Sequence, residues 1–307
     1  MKKIVLGVLF FIGLYGAIEF HQALAALTVP PFPPRDPQRI ISLAPSVTEI
    51  LYALGLGDKV VGVTQFCYYP PEVLEKPKVA GFSNVNLEAV VWQRPDLVIL
   101  PVDKISNRQN LERLGLSVLP LDTRSLSGLM AAVRMLGETA GRQVQAQAIG
   151  DRLVEGIRVA RNQANGHTRP TVLFSIMHNY EGPGYIAEIN IVGRDGFFSE
   201  LIDIAGGRNV YQGPLAFPRL SREAIIYLNP DVIVDVVISD ENLETVRRDW
   251  QSLASVEAIK NGRLFFLTDK SDTVPGPRIY KTLIQLARCF HSEVNEGLEM
   301  EKSHAKD

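Results

Sequence analysis

Residues 86–99 read Asn-Leu-Glu-Ala-Val-Val-Trp-Gln-Arg-Pro-Asp-Leu-Val-Ile, and residues 221–234 read Ser-Arg-Glu-Ala-Ile-Ile-Tyr-Leu-Asn-Pro-Asp-Val-Ile-Val. Without a gap, Glu88, Ala89, Pro95 and Asp96 match Glu223, Ala224, Pro230 and Asp231. Asn86 and Ser221 are side chains that accept from the free N–H groups of a helix start, and each Glu follows in the first turn, where the helix dipole favours an anion. An aromatic, Trp92 or Tyr227, lies in the last turn of each. Pro-Asp then ends the helix before an apolar, β-branched run. A weaker echo joins Thr48-Glu49 through Gly55 to Ser199-Glu200 through Gly206. Solenoid units recur every 20–50 residues or so. One repetition at a much longer spacing constrains the chain to two lobes of similar topology.

The rest of the pattern agrees. Apolar runs at 39–43, 60–63, 97–100 and 117–121 alternate with helical stretches at 47–54, 87–93 and 107–114. In the second half, runs at 171–176, 209–211, 232–237 and 264–267 alternate with helices near 196–205, 221–228, 243–250 and 256–260. Continuous β-branched runs separated by helices indicate parallel sheets covered on both faces. Between the halves, 125–165 lacks strand patterns and holds a helix over Leu129, Val133, Leu136 and Ala140. A longer helix follows over Val144, Ala148, Leu153, Ile157 and Ala160. About 20 helical residues span about 30 Å, enough for a rigid connector; the alternative is a surface helix of one lobe, with the boundary at Asn165. The expected fold is α/β: two Rossmann-like lobes with central parallel sheets, joined by a long rigid helix. The expected boundaries are a lead-in over 26–38, lobes over 39–124 and 167–298, a connector over 125–166 and a charged tail over 299–307.

The N-terminus carries Met1-Lys2-Lys3, an apolar run from Ile4 to Ile18 and Ala23-Leu24-Ala25, the pattern of a signal peptide over 1–25 cleaved near Ala25. The apolar run is shorter than the roughly 20 residues of a membrane span. No cysteine follows it for lipid attachment. An exported, periplasmic location is expected, with membrane contact only through a partner. A net charge of −2 and the lack of a basic block give no hold on nucleic acid. The two cysteines, Cys67 and Cys289, are expected to stay unpaired.

The sequence lacks Gly-x-Ser-x-Gly, a phosphate loop, His-Glu-x-x-His and a dinucleotide fingerprint after a strand. Its five histidines are not at metal-ligand spacing, and only His178, just past a strand, is placed to face a cleft. Neither a catalytic residue, a metal nor a resident cofactor is expected. Ligands of open α/β sheets bind beyond the carboxyl ends of strands. Those positions hold Phe66, Tyr68, Tyr69, Phe82, Tyr180, Tyr185 and Phe217, rings suited to a large, flat, partly apolar ligand. The same rings would equally serve to pack loops onto the lobes. Asp269, Asp272 and Arg278 follow the 264–267 strand, placed either to meet a polar group of the ligand or simply to shape a turn ahead of a helix that starts with Pro. Glu88 and Glu223 read in two ways, as helix-start acids or as matched docking charges for a partner.

At Arg39 to Glu49, Tyr69-Pro70-Pro71, Asn86-Leu87-Glu88 and Phe217 to Glu223 the chain resembles the cobalamin-binding receptors of corrinoid importers. More broadly it resembles the helical-backbone (class III) substrate-binding proteins, which also include siderophore, haem and metal receptors. The resemblance implies a monomer that delivers a cobalamin-like corrinoid to an ABC importer, a permease dimer with its ATPase. It implies cleft contacts from Phe66, Tyr69, Phe82 and Phe217, and docking of Glu88 and Glu223 to permease arginines. The family carries tryptophan at Phe82 and Phe217, which alters the cleft shape. Haem or an iron siderophore is the alternative ligand, with Tyr68 or Tyr180 as an iron ligand. An exported sensor or enzyme on a similar scaffold is the alternative class.

Overall fold

A computed structural model describes residues 36–81, 84–182, 185–194, 196–237 and 243–292. The leader, most of the Pro-rich lead-in, Phe82 and the charged tail lie outside these residues.

The first half lays down β1 (Ile40–Ser42), α1 (Pro45–Ala53), β2 (Val60–Thr64), β3 (Lys78–Ala80), α2 (Leu87–Trp92), β4 (Leu97–Pro101), α3 (Ile105–Arg113) and β5 (Val118–Leu121). The five strands form a parallel sheet in the order β3-β2-β1-β4-β5. Two helices follow, α4 (Leu126–Thr139) and the 22-residue α5 (Gln143–Ala164).

The second half contains β6 (Thr171–Gly182), β7 (Tyr185–Ile191), α6 (Phe197–Ile204), β8 (Arg208–Asn209), β9 (Arg219–Ser221), α7 (Arg222–Leu228), β10 (Val232–Val236), α8 (Leu243–Gln251), α9 (Glu257–Lys260), β11 (Leu264–Leu267) and α10 (Ile279–His291). Its sheet runs β11-β10-β6-β7-β9, and β8 pairs with the first residues of β6. The β8, β6, β10 and β11 strands are parallel, whereas β7 and β9 are antiparallel. The parallel centre is the expected one. The antiparallel edge arises because β6 continues past Ile176 and returns as a hairpin, which leaves Tyr180 inside a strand instead of a loop.

The echoed segments do the same structural work in both halves. The Asn86 carboxamide oxygen accepts from the Ala89 N–H at 3.0 Å, and Ser221 Oγ accepts from the Ala224 N–H at 3.3 Å. Asp96 accepts from the backbone N–H groups of Gln38 (2.7 Å) and Arg39 (3.0 Å), just before β1. Asp231 accepts from the N–H and hydroxyl of Thr171 at the start of β6, both at 2.7 Å. Each echoed acid thus fixes the strand it opens against its parallel neighbour. The residues before the two prolines, Arg94 (φ 46°) and Asn229 (φ 42°), both take the left-handed conformation that turns the chain out of the helix.

One apolar core runs from Ile40, Val47 and Ile99 through Leu129, Val133, Ile149 and Leu153 to Phe174, Val234 and Leu283. The connector helices therefore share buried surface with both sheets, which is the physical basis of a stiff link. A second cluster under the outer face of the first sheet joins Ile41, Val79, Val90, Val98, Leu100 and Leu111. Its counterpart in the second half is centred on Leu173, Ile189, Ile233, Phe266 and Trp250. Cys67 and Cys289 are both buried and neither is in a disulfide, and burial pushes the Cys289 thiol up to about 12. Among the described residues, no helix is long and apolar enough to cross a membrane.

Candidate functional site

The loop after β2 turns at Phe66, whose N–H donates to Thr64 Oγ1 at 3.2 Å. Beneath it Cys67 Sγ lies 3.1 Å from Thr48 Oγ1 and 3.2 Å from Thr64 Oγ1, pinning the loop to α1 and β2. Phe66 is half-buried, while Tyr68 and Tyr69 project outward and are exposed.

Neither tyrosine ring stands alone. Lys270 Nζ sits 4.1 Å from the Tyr68 ring centre, and the Arg278 guanidinium lies 3.5 Å from that of Tyr69. Both cations belong to the segment after β11 of the second sheet. A cation over an aromatic face is attracted by the ring quadrupole, by about 0.5–1 kcal/mol where exposed and more where desolvated. Arg278 also donates to Glu49 of α1, with Nη2 to Oε1 at 2.7 Å and Nε to Oε2 at 3.1 Å. Burial raises the Glu49 carboxyl above its usual range, opposed by Arg278. The loop after β2 and the segment after β11 are thus clamped together. Gly276 allows the approach, since a Cβ there would meet Glu49 Oε2 at 3.0 Å. Beside this clamp lies a cavity of about 790 Å³ lined by Tyr69, Glu49, Tyr52, Arg152, Arg278 and Lys281. Charged side chains share its walls with the rings of Tyr52, Tyr69 and Tyr280, so it is more polar than the aromatic cleft expected for a flat ligand.

The other expected residues separate into groups. Phe217 is exposed in the loop before β9. Tyr185 is exposed at the start of β7, and the guanidinium of Arg222, at the start of α7, lies 5.3 Å from its ring centre. Tyr185 therefore adjoins the docking candidate Glu223. Phe82 lies outside the described residues, and of Tyr180 only the backbone, in β6, is described. Asp272 is turned inward: it is buried, and its Oδ1 accepts from Thr282 Oγ1 of α10 at 3.3 Å. That carboxylate shapes the turn, and burial removes it from the groups a solute can touch.

His178, expected to face a cleft, is buried as well, with a side chain only 4% exposed. Its Nε2 is 2.7 Å from Asp235 Oδ1, and Trp250 Nε1–H donates to Asp235 Oδ2 at 2.7 Å. This network ties β6, β10 and α8 and faces no solvent. Among the described residues, no group of three or more His, Cys, Asp or Glu is placed to hold a metal ion.

Glu88 and Glu223 are exposed in the first turns of α2 and α7. Hydrogen bonds from its own N–H and from Ser221 Oγ hold the Glu223 carboxyl below the usual range. Its charge therefore persists in mildly acidic solution. Sequence reasoning passed over Lys270 and the Glu49–Arg278 pair as a unit. The one available signal was Glu49, a lone acid in an otherwise apolar helix run.

Comparison with known proteins places this architecture. The periplasmic binding protein family matches residues 40–271. An uncharacterised ABC transporter substrate-binding lipoprotein of Bacillus subtilis is 30% identical over 84% of this chain and 82% of its own. The crystal structure of a periplasmic vitamin B12-binding protein of Vibrio cholerae superposes with a TM-score of 0.72 at 26% identity, covering 87% of this chain and all of that one (100%). A periplasmic haem-binding protein of Roseiflexus sp. RS-1 in apo form gives a TM-score of 0.69 at 27% identity, covering 83% of this chain and 98% of that one.

Proposed function

The chain belongs to the periplasmic binding protein family, and on that premise we propose that it is an exported receptor that captures a corrinoid of the cobalamin type between its lobes and hands it to an ABC importer. The observation that carries the ligand assignment is the likeness, along nearly the whole described chain, to a vitamin B12-binding protein. Aromatic side chains at the strand ends support it: Phe66, Tyr68 and Tyr69 on one lobe, and Phe217 on the other. The receptor is made in the cytoplasm, loses its leader near Ala25 and works in the periplasm as a monomer.

It binds and does not catalyse. The buried His178–Asp235 pair, the arrangement most like a base and its orienting acid, is closed off from solvent and committed to Trp250. Delivery runs through Glu88 and Glu223, one exposed acid per lobe, offered to basic groups of a permease dimer coupled to its ATPase. Isothermal titration of the purified mature protein with cyanocobalamin is the test. Saturable binding at micromolar ligand is expected, and flat heats would remove the corrinoid assignment.

A second reading rests on the haem-binding neighbour, whose likeness is nearly as close. Tyr68 is exposed and offers a phenolate for haem iron. Titration with haem decides between them: a saturable Soret shift that Tyr68→Phe abolishes would establish the haem reading in place of the corrinoid.

A further inference from the structure

The echoed helices repeat more than their glutamates. In α2, Glu88 is followed at i+3 by Val91, 46% exposed, and at i+4 by Trp92, 83% exposed. In α7, Glu223 is followed at i+3 by Ile226, 39% exposed, and at i+4 by Tyr227, 87% exposed. The residues between, Val90 and Ile225, are fully buried and fix which face of each helix points out. Positions i, i+3 and i+4 share one helix face. Each lobe therefore displays the same patch: an acid, a β-branched side chain and a large aromatic.

Two large aromatics this exposed are costly to a monomer unless something covers them. Trp and Tyr are the side chains most often found as interface anchors. Beside the first patch lies an open groove of about 960 Å³ lined by Leu87, Val91, Trp92 and Leu114, with Glu88, Arg39 and Arg94 among its walls. The duplication specifies the partner's symmetry. Two equivalent patches on one chain fit two equivalent sites related by a two-fold axis, as in a homodimer. The exposed acids require a basic group in each site.

We propose that Trp92 and Tyr227 are the apolar anchors of permease docking. Each inserts into an apolar pocket beside the basic residue that meets Glu88 or Glu223, on the two halves of a membrane-embedded dimer. This rests on the docking reading given above and divides its labour: the acids steer and set register, and the aromatics hold.

The test titrates the full mature receptor against its importer, permease and ATPase together, in lipid nanodiscs at low and high salt. Trp92→Ala and Tyr227→Ala are each expected to weaken binding about tenfold and leave the salt dependence unchanged, as anchor truncations at an interface core do. Glu88→Gln and Glu223→Gln are expected to flatten the salt dependence. Both aromatics are exposed, so the variants should keep the parent melting temperature, which excludes misfolding as the cause. In the Tyr227→Ala receptor, Trp92 emission should shift to the blue on docking, with fully buried Trp250 as a constant background. Aromatic variants that bind like the parent, while the glutamine variants lose the salt dependence, would overturn the anchor role and leave electrostatic docking standing. A parent receptor that does not bind the importer would overturn the docking reading itself.

Discussion

Arg278 holds Glu49 with both Nη2 and Nε, while its guanidinium carbon lies 3.5 Å from the ring centre of Tyr69. Two groups of the first half of the chain thus meet at one cation of the second. Removing one partner of a buried ion pair strands the other charge at a cost of about 3–5 kcal/mol. Arg278→Ala should therefore lower the melting temperature by about 10 °C for a chain of this size. Glu49→Leu with Arg278→Met should recover most of that loss. The sign with pH follows from burial. Glu49 has a raised carboxyl value, so its contribution favours folding below the ordinary carboxylate range and fades as pH rises through the raised value. The Arg278→Ala penalty should accordingly be larger near neutrality than in acid, and melts across pH check both claims.

Asp235 joins two rings. With His178 on one oxygen and Trp250 on the other, its carboxylate is fully buried on β10 of the second sheet. Asp235→Ala leaves the Trp250 indole N–H without an acceptor, a loss of about 1–3 kcal/mol, with the vacated volume adding to it. Asp235→Asn keeps one acceptor oxygen and should lose less. Urea unfolding followed by the emission of buried Trp250 orders the three proteins as parent, Asn, then Ala.

The echoed helices were legible because their signals are local: a cap, a first-turn Glu and a Pro stop lie within a few residues of one another. The work of Asp96 and Asp231 was hidden, since each closes a contact with a strand that begins 60 positions or so earlier. The Glu49–Arg278 clamp joins residues 229 apart, and the lone acid of α1 is its one local sign, with nothing near Arg278 to match it. The apolar run over 171–176 ends before the strand does, because beyond Ile176 β6 pairs with β7 as a hairpin and no longer needs an unbroken run of β-branched residues. Aromatics at strand ends could be found by position, but not their partners. That Tyr68 and Tyr69 carry cations of the other half needed the fold.

His291 donates through Nε2 to the Ala205 carbonyl at 3.0 Å and stacks near His167, ring centres 5.1 Å apart. Burial lowers its basicity, with the Ala205 hydrogen bond opposing. A base whose folded value is depressed stabilises above its unfolded value, 6.5, and loses that contribution as pH falls through the folded value. The share of stability that His291 supplies should be lost through the weakly acidic range. His291→Gln should show a shallower loss over the same range. Denaturant midpoints at successive pH values measure the difference.

Gly150 and Gly156 sit in the same long helix, α5, and should respond to alanine with opposite signs. Glycine in a helix interior costs about 0.5–1 kcal/mol relative to alanine, so a tolerated methyl group stabilises by that amount. At Gly150 a Cβ meets nothing within 4 Å, and Gly150→Ala should raise stability. At Gly156 a Cβ falls 2.5 Å from Tyr280 Cβ and 3.3 Å from its Cα, contacts that no rotamer change relieves. The helix must then move away from α10, at a cost of about 1–3 kcal/mol that exceeds the propensity gain. Gly156→Ala should therefore destabilise. The two variants share helix and chemistry, so the difference in their denaturation midpoints isolates the packing. If Gly156→Ala proves as stabilising as Gly150→Ala, α5 and α10 are not in the close contact that makes the connector stiff, and the rigid link between the lobes loses its physical support.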